Sequence, residues 1–171
     1  MPATHIVVDS PLGELTLTAE DGSLTGLYFP HHWYPPTAAA LGSPGEEGFG
    51  EQGSGAIRRQ LEEYFAGQRQ QFDLSVWLRG EEFQQRVWAL IAAIPYGRTT
   101  SYGELAAELG PGVLARDVGA AVGRNPVSVI VPCHRVVGKD GSLTGYAGGL
   151  KRKRFLLELE EPAPAVAGKL F

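Results

Sequence analysis

The sequence predicts an α/β (α+β) protein: a small N-terminal β-sheet and helix domain, then a mostly helical C-terminal domain with a helix-turn-helix and a lone cysteine after a short strand. Three observations predict this. Apolar residues alternate with period two between His5 and Phe29 and recur at helical spacing between Phe83 and Val122. A β-branched run, Val127 to Val131, stops at Pro132, immediately before Cys133. The division assigns residues 1–79 to the N-terminal domain, 80–161 to the C-terminal domain and 162–171 to a tail.

His5-Ile6-Val7-Val8 precedes the turn signal Asp9-Ser10-Pro11-Leu12-Gly13 and reads as a strand. Leu15, Leu17 and Ala19 alternate with polar residues in a second strand. Asp21-Gly22-Ser23 turns the chain into a third, Leu24 to Phe29. Residues 30–55 hold four prolines and six glycines with little periodicity, which predicts a long mobile loop. Ile57, Leu61, Tyr64 and Phe65 make a helical stripe, and Phe72, Leu74, Val76 and Leu78 alternate like another strand.

In the second half, Phe83, Val87, Leu90, Ile91 and Ile94 share a helical face that ends at Pro95-Tyr96-Gly97. Ser101 and Glu104 form a capping-box signature for the next helix. Gly110-Pro111-Gly112 breaks it, and a further helix from about Val113 carries Leu114, Val118, Ala121 and Val122 as its buried stripe. Two short helices around a glycine turn resemble a helix-turn-helix. The final helix begins near Gly149-Leu150 and carries Phe155, Leu156 and Leu159.

Composition narrows the function classes. The chain has 171 residues, 43% apolar and 20% charged, and no apolar run long enough to span a bilayer. The N-terminal residues lack a basic stretch leading into an apolar one, so a cytoplasmic protein is expected. One cysteine excludes an intramolecular disulfide and a cysteine-rich zinc site; no metal and no cofactor are expected. The net charge of −4 is uneven. Residues 113–154 hold eight basic residues against two acidic ones, enough to meet phosphates electrostatically. In Lys151-Arg152-Lys153-Arg154, two of the four are expected to be a solvated helix start.

Cys133 is followed by His134, a base, and Arg135, a fixed cation. Both would favour thiolate, the nucleophilic form. Adjacent side chains rarely point the same way, so His134 would act through a turn or a bridging water. Spacing leaves Glu158, Glu160 and Glu161 open as the carboxylate that orients it.

Val131-Pro132-Cys133-His134-Arg135-Val136-Val137 resembles the active-site signature of the O6-alkylguanine-DNA alkyltransferases. Further matching blocks are Phe83 to Trp88, Ile94 to Gly97, Ser101 to Ala106, Ala115-Arg116 through Asn125-Pro126, and Gly145 to Leu150. They run in family order from about Phe83 to Glu160, while the N-terminal half resembles the family only loosely.

The resemblance implies a DNA-repair protein that rotates O6-alkylguanine out of duplex DNA and takes the alkyl group irreversibly onto Cys133, once per molecule. It implies His134 as the base acting through water, Glu160 as its orienting carboxylate, and Asn125 as an organiser near the cysteine. Tyr102 would assist nucleotide rotation and protonate the leaving guanine. Arg116 would fill the gap left by the flipped base, with Gly103, Ala121 and Gly123 at the DNA and the helix in the minor groove. Val136, Tyr146 and Ala147 would line the guanine pocket, with Lys153 beside it. The implied partner is double-stranded DNA containing O6-alkylguanine, with O4-alkylthymine as an open second lesion. The free protein is expected to be monomeric, with cooperative assembly on DNA left open.

Two rival functions stand beside this one. A non-repairing binder of alkylated DNA would carry tryptophan where this chain has Cys133. A cysteine hydrolase using Cys133, His134 and Glu160 would need an oxyanion hole, for which the sequence shows no separate signature.

Overall fold

The structure is a computed structural model and describes residues 2–161; the expected tail, 162–171, lies outside the described residues. Strands β1 (Thr4–Val8), β2 (Leu15–Glu20) and β3 (Ser23–Tyr28) form an antiparallel meander. Their inward residues, Leu15, Leu17, Leu24 and Leu27, are fully buried, as the period-two pattern requires.

The 30–55 segment is less irregular than its composition suggests. It contains a helical turn, α1 (Ala38–Leu41), and a two-residue strand, β4 (Ser43–Pro44), paired parallel to β1 in the sheet order β3-β2-β1-β4. Gly45 N–H donates to His5 O at 3.0 Å, and Gly48 N–H to Thr4 Oγ1 at 2.9 Å. Backbone pairing supplies order that side-chain periodicity does not reveal.

Helix α2 (Gly55–Phe65) lays Ile57, Leu61 and Tyr64 on the core. The predicted strand over Phe72–Leu78 is extended and alternates half-buried with exposed residues, yet pairs with β3 only through a bridge between Leu24 and Val76. Its alternation reports packing on the core rather than a ladder.

Helix α3 (Glu82–Ala92) buries Val87, Trp88 and Ile91. After β5 (Thr100–Ser101), the Ser101–Glu104 capping box opens α4 (Tyr102–Leu109) as predicted, each side chain satisfying a backbone N–H of the other. Helix α5 (Ala115–Gly123) starts two residues later than expected, and Leu114 is a correction: it caps the helix and is 47% exposed, outside the buried stripe of Val118, Ala121 and Val122. Trp88 Nε1–H donates to Ala121 O at 2.8 Å, locking α3 against α5.

Val127, Ser128, Val129 and Val131 are buried and Ile130 is half-buried, but the run does not form the predicted strand. Asn125 accepts from Val127 N–H at 3.0 Å and donates to Val131 O at 2.8 Å, folding the run into successive turns. Val129 sits at φ 73°, a conformation that costs a β-branched residue on the order of 1–3 kcal/mol. Asn125 thus overrides β propensity. Cys133 opens a 3-10 turn, Cys133–Arg135, and precedes rather than follows a short strand, β6 (Val136–Val137), which pairs with β5. Helix α6 (Leu150–Glu160) closes the fold.

One buried cluster runs through both halves, from Leu17 and Leu27 to Val87, Val118 and Leu156. Leu27 N–H donates to Pro126 O at 2.8 Å, joining β3 to the turn before the cysteine. No helix among the described residues is long and apolar enough to cross a membrane.

Candidate active site

The 3-10 turn places Cys133, His134 and Arg135 in the interior, none more than 7% exposed. It does so because Pro132 accepts from Arg135 N–H at 2.9 Å while Cys133 N–H donates to Val131 O at 2.8 Å. Neighbouring side chains diverge there. Cys133 reaches a cavity, whereas His134 and Arg135 turn toward the C-terminal end of α6.

Of the three carboxylates left open by spacing, Glu160 is the one engaged. Its Oε2 meets His134 Nε2 at 2.8 Å and Arg135 Nη2 at 2.9 Å, and its Oε1 accepts from Arg135 Nε at 2.7 Å. Tyr64 of α2 donates its hydroxyl to the same Oε2. Arg135 also donates to Ile94 O at 2.6 Å. Burial opposes the charge on Glu160, but hydrogen bonds from His134 and Arg135 outweigh it and hold the carboxyl at about 2.

These partners settle the state of the imidazole. Burial pushes the His134 pKa down despite the neighbouring carboxylate, so the ring is neutral. With Glu160 ionised, Nε2 carries the proton and donates. Nδ1 is then a buried acceptor without a hydrogen-bond partner. A water there would link it to other groups, the arrangement expected for a relayed base.

The resting state of Cys133 differs from the expectation. Burial pushes its pKa up, against the pull of the Asn125 side chain and the Lys153 ammonium. Arg135 does not promote the thiolate, because its charge is paired with Glu160. The group is therefore a thiol until a base takes its proton.

Lys153 is fully buried, donates from Nζ to Thr144 O at 3.1 Å and lies 6.0 Å from the Tyr102 ring centroid. Burial lowers its pKa to about 8. Tyr102 Oη accepts from Thr144 Oγ1 at 3.0 Å. Of the other basic residues on α6, Lys151 and Arg154 are exposed, while Arg152 donates to Leu12 O and Gly148 O. Two of the four are solvated, as expected.

The cavity at Cys133 has a volume of about 410 Å³ and is lined by Trp33, Tyr102, Ala115, Arg116, Gly119, Val122, Gly123, Cys133 and the segment Thr144–Ala147. Cys133, Tyr102, Arg116, Gly123, Tyr146 and Ala147 are thus brought together as expected. Val136 is not: it is wholly buried in β6, outside the lining. Lys153 stands behind the wall through Thr144. Ala121 faces α3 and is 4% exposed, so it is a packing residue rather than a groove contact. Gly103 is exposed on the first turn of α4, away from the cavity lining. Asn125 holds the 127–131 turn and thereby the cysteine.

The basic segment also divides. Arg135 and Lys153 are interior, while Arg116 and Arg124 on or next to α5, and Lys139, are exposed. Among the described residues, no group of three or more His, Cys, Asp or Glu side chains is arranged to hold a metal ion. Sequence reasoning missed Tyr64, Trp33 and Thr144. A tyrosine at core spacing, a tryptophan in a proline-rich segment and a threonine in a turn carry no signal of a site.

Comparison with known proteins gives the same picture over both halves. Residues 4–78 match the family model of the 6-O-methylguanine DNA methyltransferase, ribonuclease-like domain, and residues 82–162 that of its DNA binding domain. A methylated-DNA–protein-cysteine methyltransferase of Mycobacterium bovis is 50% identical over 159 residues, 92% of this chain and 93% of the relative. The constitutive enzyme of that name from Bacillus subtilis is 38% identical over 158 residues, 91% and 94% of the two chains. The crystal structure of Mycobacterium tuberculosis OGT in complex with DNA superposes with a TM-score of 0.83 at 47% identity, covering 92% of each chain. With two family models spanning nearly its whole length, this chain belongs to the 6-O-methylguanine DNA methyltransferase family.

Proposed function

We propose that Cys133 is the alkyl acceptor of a DNA-repair methyltransferase that acts on O6-alkylguanine in duplex DNA and is consumed by the reaction. One observation carries this reading: the only cysteine opens onto a cavity of about 410 Å³ while the residue after it belongs to a buried imidazole–carboxylate pair. Family membership supplies the reaction class, methyl transfer from DNA to a protein cysteine.

The steps follow from the groups present. The damaged nucleotide leaves the stack at a cost of a few kcal/mol, reduced by the weakened alkylated pair. Arg116, exposed at the cavity rim on α5, fills the space it vacates. His134 Nδ1, through one water, takes the proton from Cys133 as its sulfur attacks the alkyl carbon. The S–C bond forms as the C–O6 bond breaks, and Tyr102 delivers a proton to the departing guanine. Lys153 stabilises the developing thiolate, and Glu160 balances the imidazolium. A thioether is a poor leaving group, so each molecule acts once.

In this reading residues 80–161 form the DNA-binding and catalytic part, and 1–79 a supporting unit. The partner is double-stranded DNA, bound by phosphate contacts largely independent of sequence; the free protein is a monomer and resides in the cytoplasm.

Incubation with DNA carrying labelled O6-methylguanine tests the reading. The expected result is one label per molecule, located on Cys133, and none on Cys133→Ala, which still binds the DNA. Label elsewhere, or repeated turnover, would overturn it. Binding without label would favour a non-repairing binder, and turnover of an ester a hydrolase.

A further inference from the structure

Trp33 belongs to none of the sequence blocks that point to the reaction, yet it lines the same cavity as Cys133 and Tyr146. The residue is 56% exposed, an unusual state for a tryptophan whose burial would be favourable. It is also held in place. Trp33 N–H donates to Ala147 O at 3.0 Å, pinning the segment to the wall of the cavity. The preceding residue, His32, is buried, with its ring stacked on Phe29 and its Nδ1 accepting from Phe29 N–H.

The opposing surface is shaped to receive the indole. A Cβ on Gly145 would lie 2.7 Å from Cη2 of Trp33, so the ring lies directly against the glycine. Tyr34 extends the aromatic surface toward α5, where the Arg124 guanidinium sits 4.2 Å from its ring centroid. An aromatic segment from the first half of the chain thus borders a cavity whose nucleophile comes from the second.

We propose that Trp33 is a specificity-determining wall of the alkylguanine site, its exposed indole face stacking on the extruded alkylated purine. The assignment rests on the reading of the cavity given under the proposed function. A flat, anchored, half-exposed indole beside the nucleophile suits a planar π ligand, because stacking is available without ordering a mobile side chain. It recognises the shape of a purine rather than a hydrogen-bonding edge. Discrimination among purines then falls to the polar groups of the Thr144–Ala147 segment.

The test uses the full chain and free O6-benzylguanine, which needs no DNA contact and no base extrusion. Wild type is expected to gain one benzyl group on Cys133 by intact mass. Trp33→Ala should react about tenfold more slowly, and Trp33→Phe within about twofold of wild type, the size expected when a stacking face is lost or kept. Affinity of Trp33→Ala for undamaged duplex should be unchanged. In a Cys133→Ala background, O6-benzylguanine should quench indole fluorescence, and adding Trp33→Phe should abolish the quench. This second measurement decides the matter if Trp33→Ala folds poorly.

Equal benzyl-transfer rates in Trp33→Ala and wild type, or a quench that survives Trp33→Phe, would overturn the assignment. A wild-type protein that acquires no benzyl group would instead overturn the reading of the cavity on which the assignment rests.

Discussion

Tyr64, fully buried on α2, donates its hydroxyl to Glu160 Oε2 at the end of α6, across 96 positions of sequence. The first half of the chain therefore supplies one of the donors that hold the carboxylate paired with His134. The N-terminal unit, which looks chemically silent in sequence, reaches the relay behind the cysteine.

Tyr64→Phe removes that donor and nothing else of size. The expected result is a loss of about 1–3 kcal/mol in urea unfolding, the cost of depriving a buried charged acceptor of a partner. Alkyl transfer should slow severalfold while still ending at one label per molecule. Unchanged stability and unchanged rate would show that Arg135 and His134 suffice to hold Glu160.

Glu160→Gln leaves the Arg135 guanidinium buried without its counter-charge. A loss of about 3–5 kcal/mol is expected. The pH dependence has a definite sign. Glu160 sits at about 2 in the folded protein, below the ordinary carboxylate value of 4.5. Its contribution to stability is therefore complete above pH 4.5 and disappears as pH falls toward 2. Acid unfolding of wild type followed by circular dichroism should show this loss, and Glu160→Gln should lack its share of it.

Lys153→Met keeps the buried stem and removes the charge that draws Cys133 toward thiolate. Transfer to Cys133 at neutral pH should slow by about a hundredfold, the lower end of what a positioned acid–base or charged group contributes. The deficit should shrink above about pH 8, where wild-type Lys153 loses its own proton. A depressed lysine pKa also means that the buried ammonium is penalised. Wild-type stability should rise as pH passes from about 8 toward 10.5, and the variant should lose this dependence. Rates from mass spectrometry and urea midpoints across pH measure the two effects.

Arg116→Ala removes an exposed side chain at the cavity rim and should leave stability within about 0.5 kcal/mol of wild type. Repair of O6-methylguanine in duplex DNA should slow much more than reaction with free O6-benzylguanine, because only the duplex requires extrusion. Equal slowing of both would rule out Arg116 as the residue that fills the space left by the extruded base.

Elements defined by local chemistry were legible in the sequence. The first three strands, α2, α3 and α4 follow apolar periodicity, and the Ser101–Glu104 box marks the start of α4 through contacts within one turn. The run before Cys133 was misread because Val and Ile carry the same propensity whether they pair in a ladder or fill a buried turn. The Asn125 side chain decides between these by hydrogen-bonding the backbone on both sides of Val129. Leu114 was misplaced because the helix begins after it, and Ala121 because a small residue fits tight packing and groove approach equally well.

What the residues alone determine is the reactive inventory: one sulfur, an imidazole beside it, and helices in an order that places a basic segment around them. Tertiary structure alone decides which carboxylate serves the imidazole, where the arginine charge goes, and that the resting cysteine is a thiol. The reason is physical. Propensity and periodicity act over a few residues, whereas desolvation and charge pairing act through space, between Arg135 and Glu160 or Tyr64 and Glu160, at separations in sequence that carry no local signal.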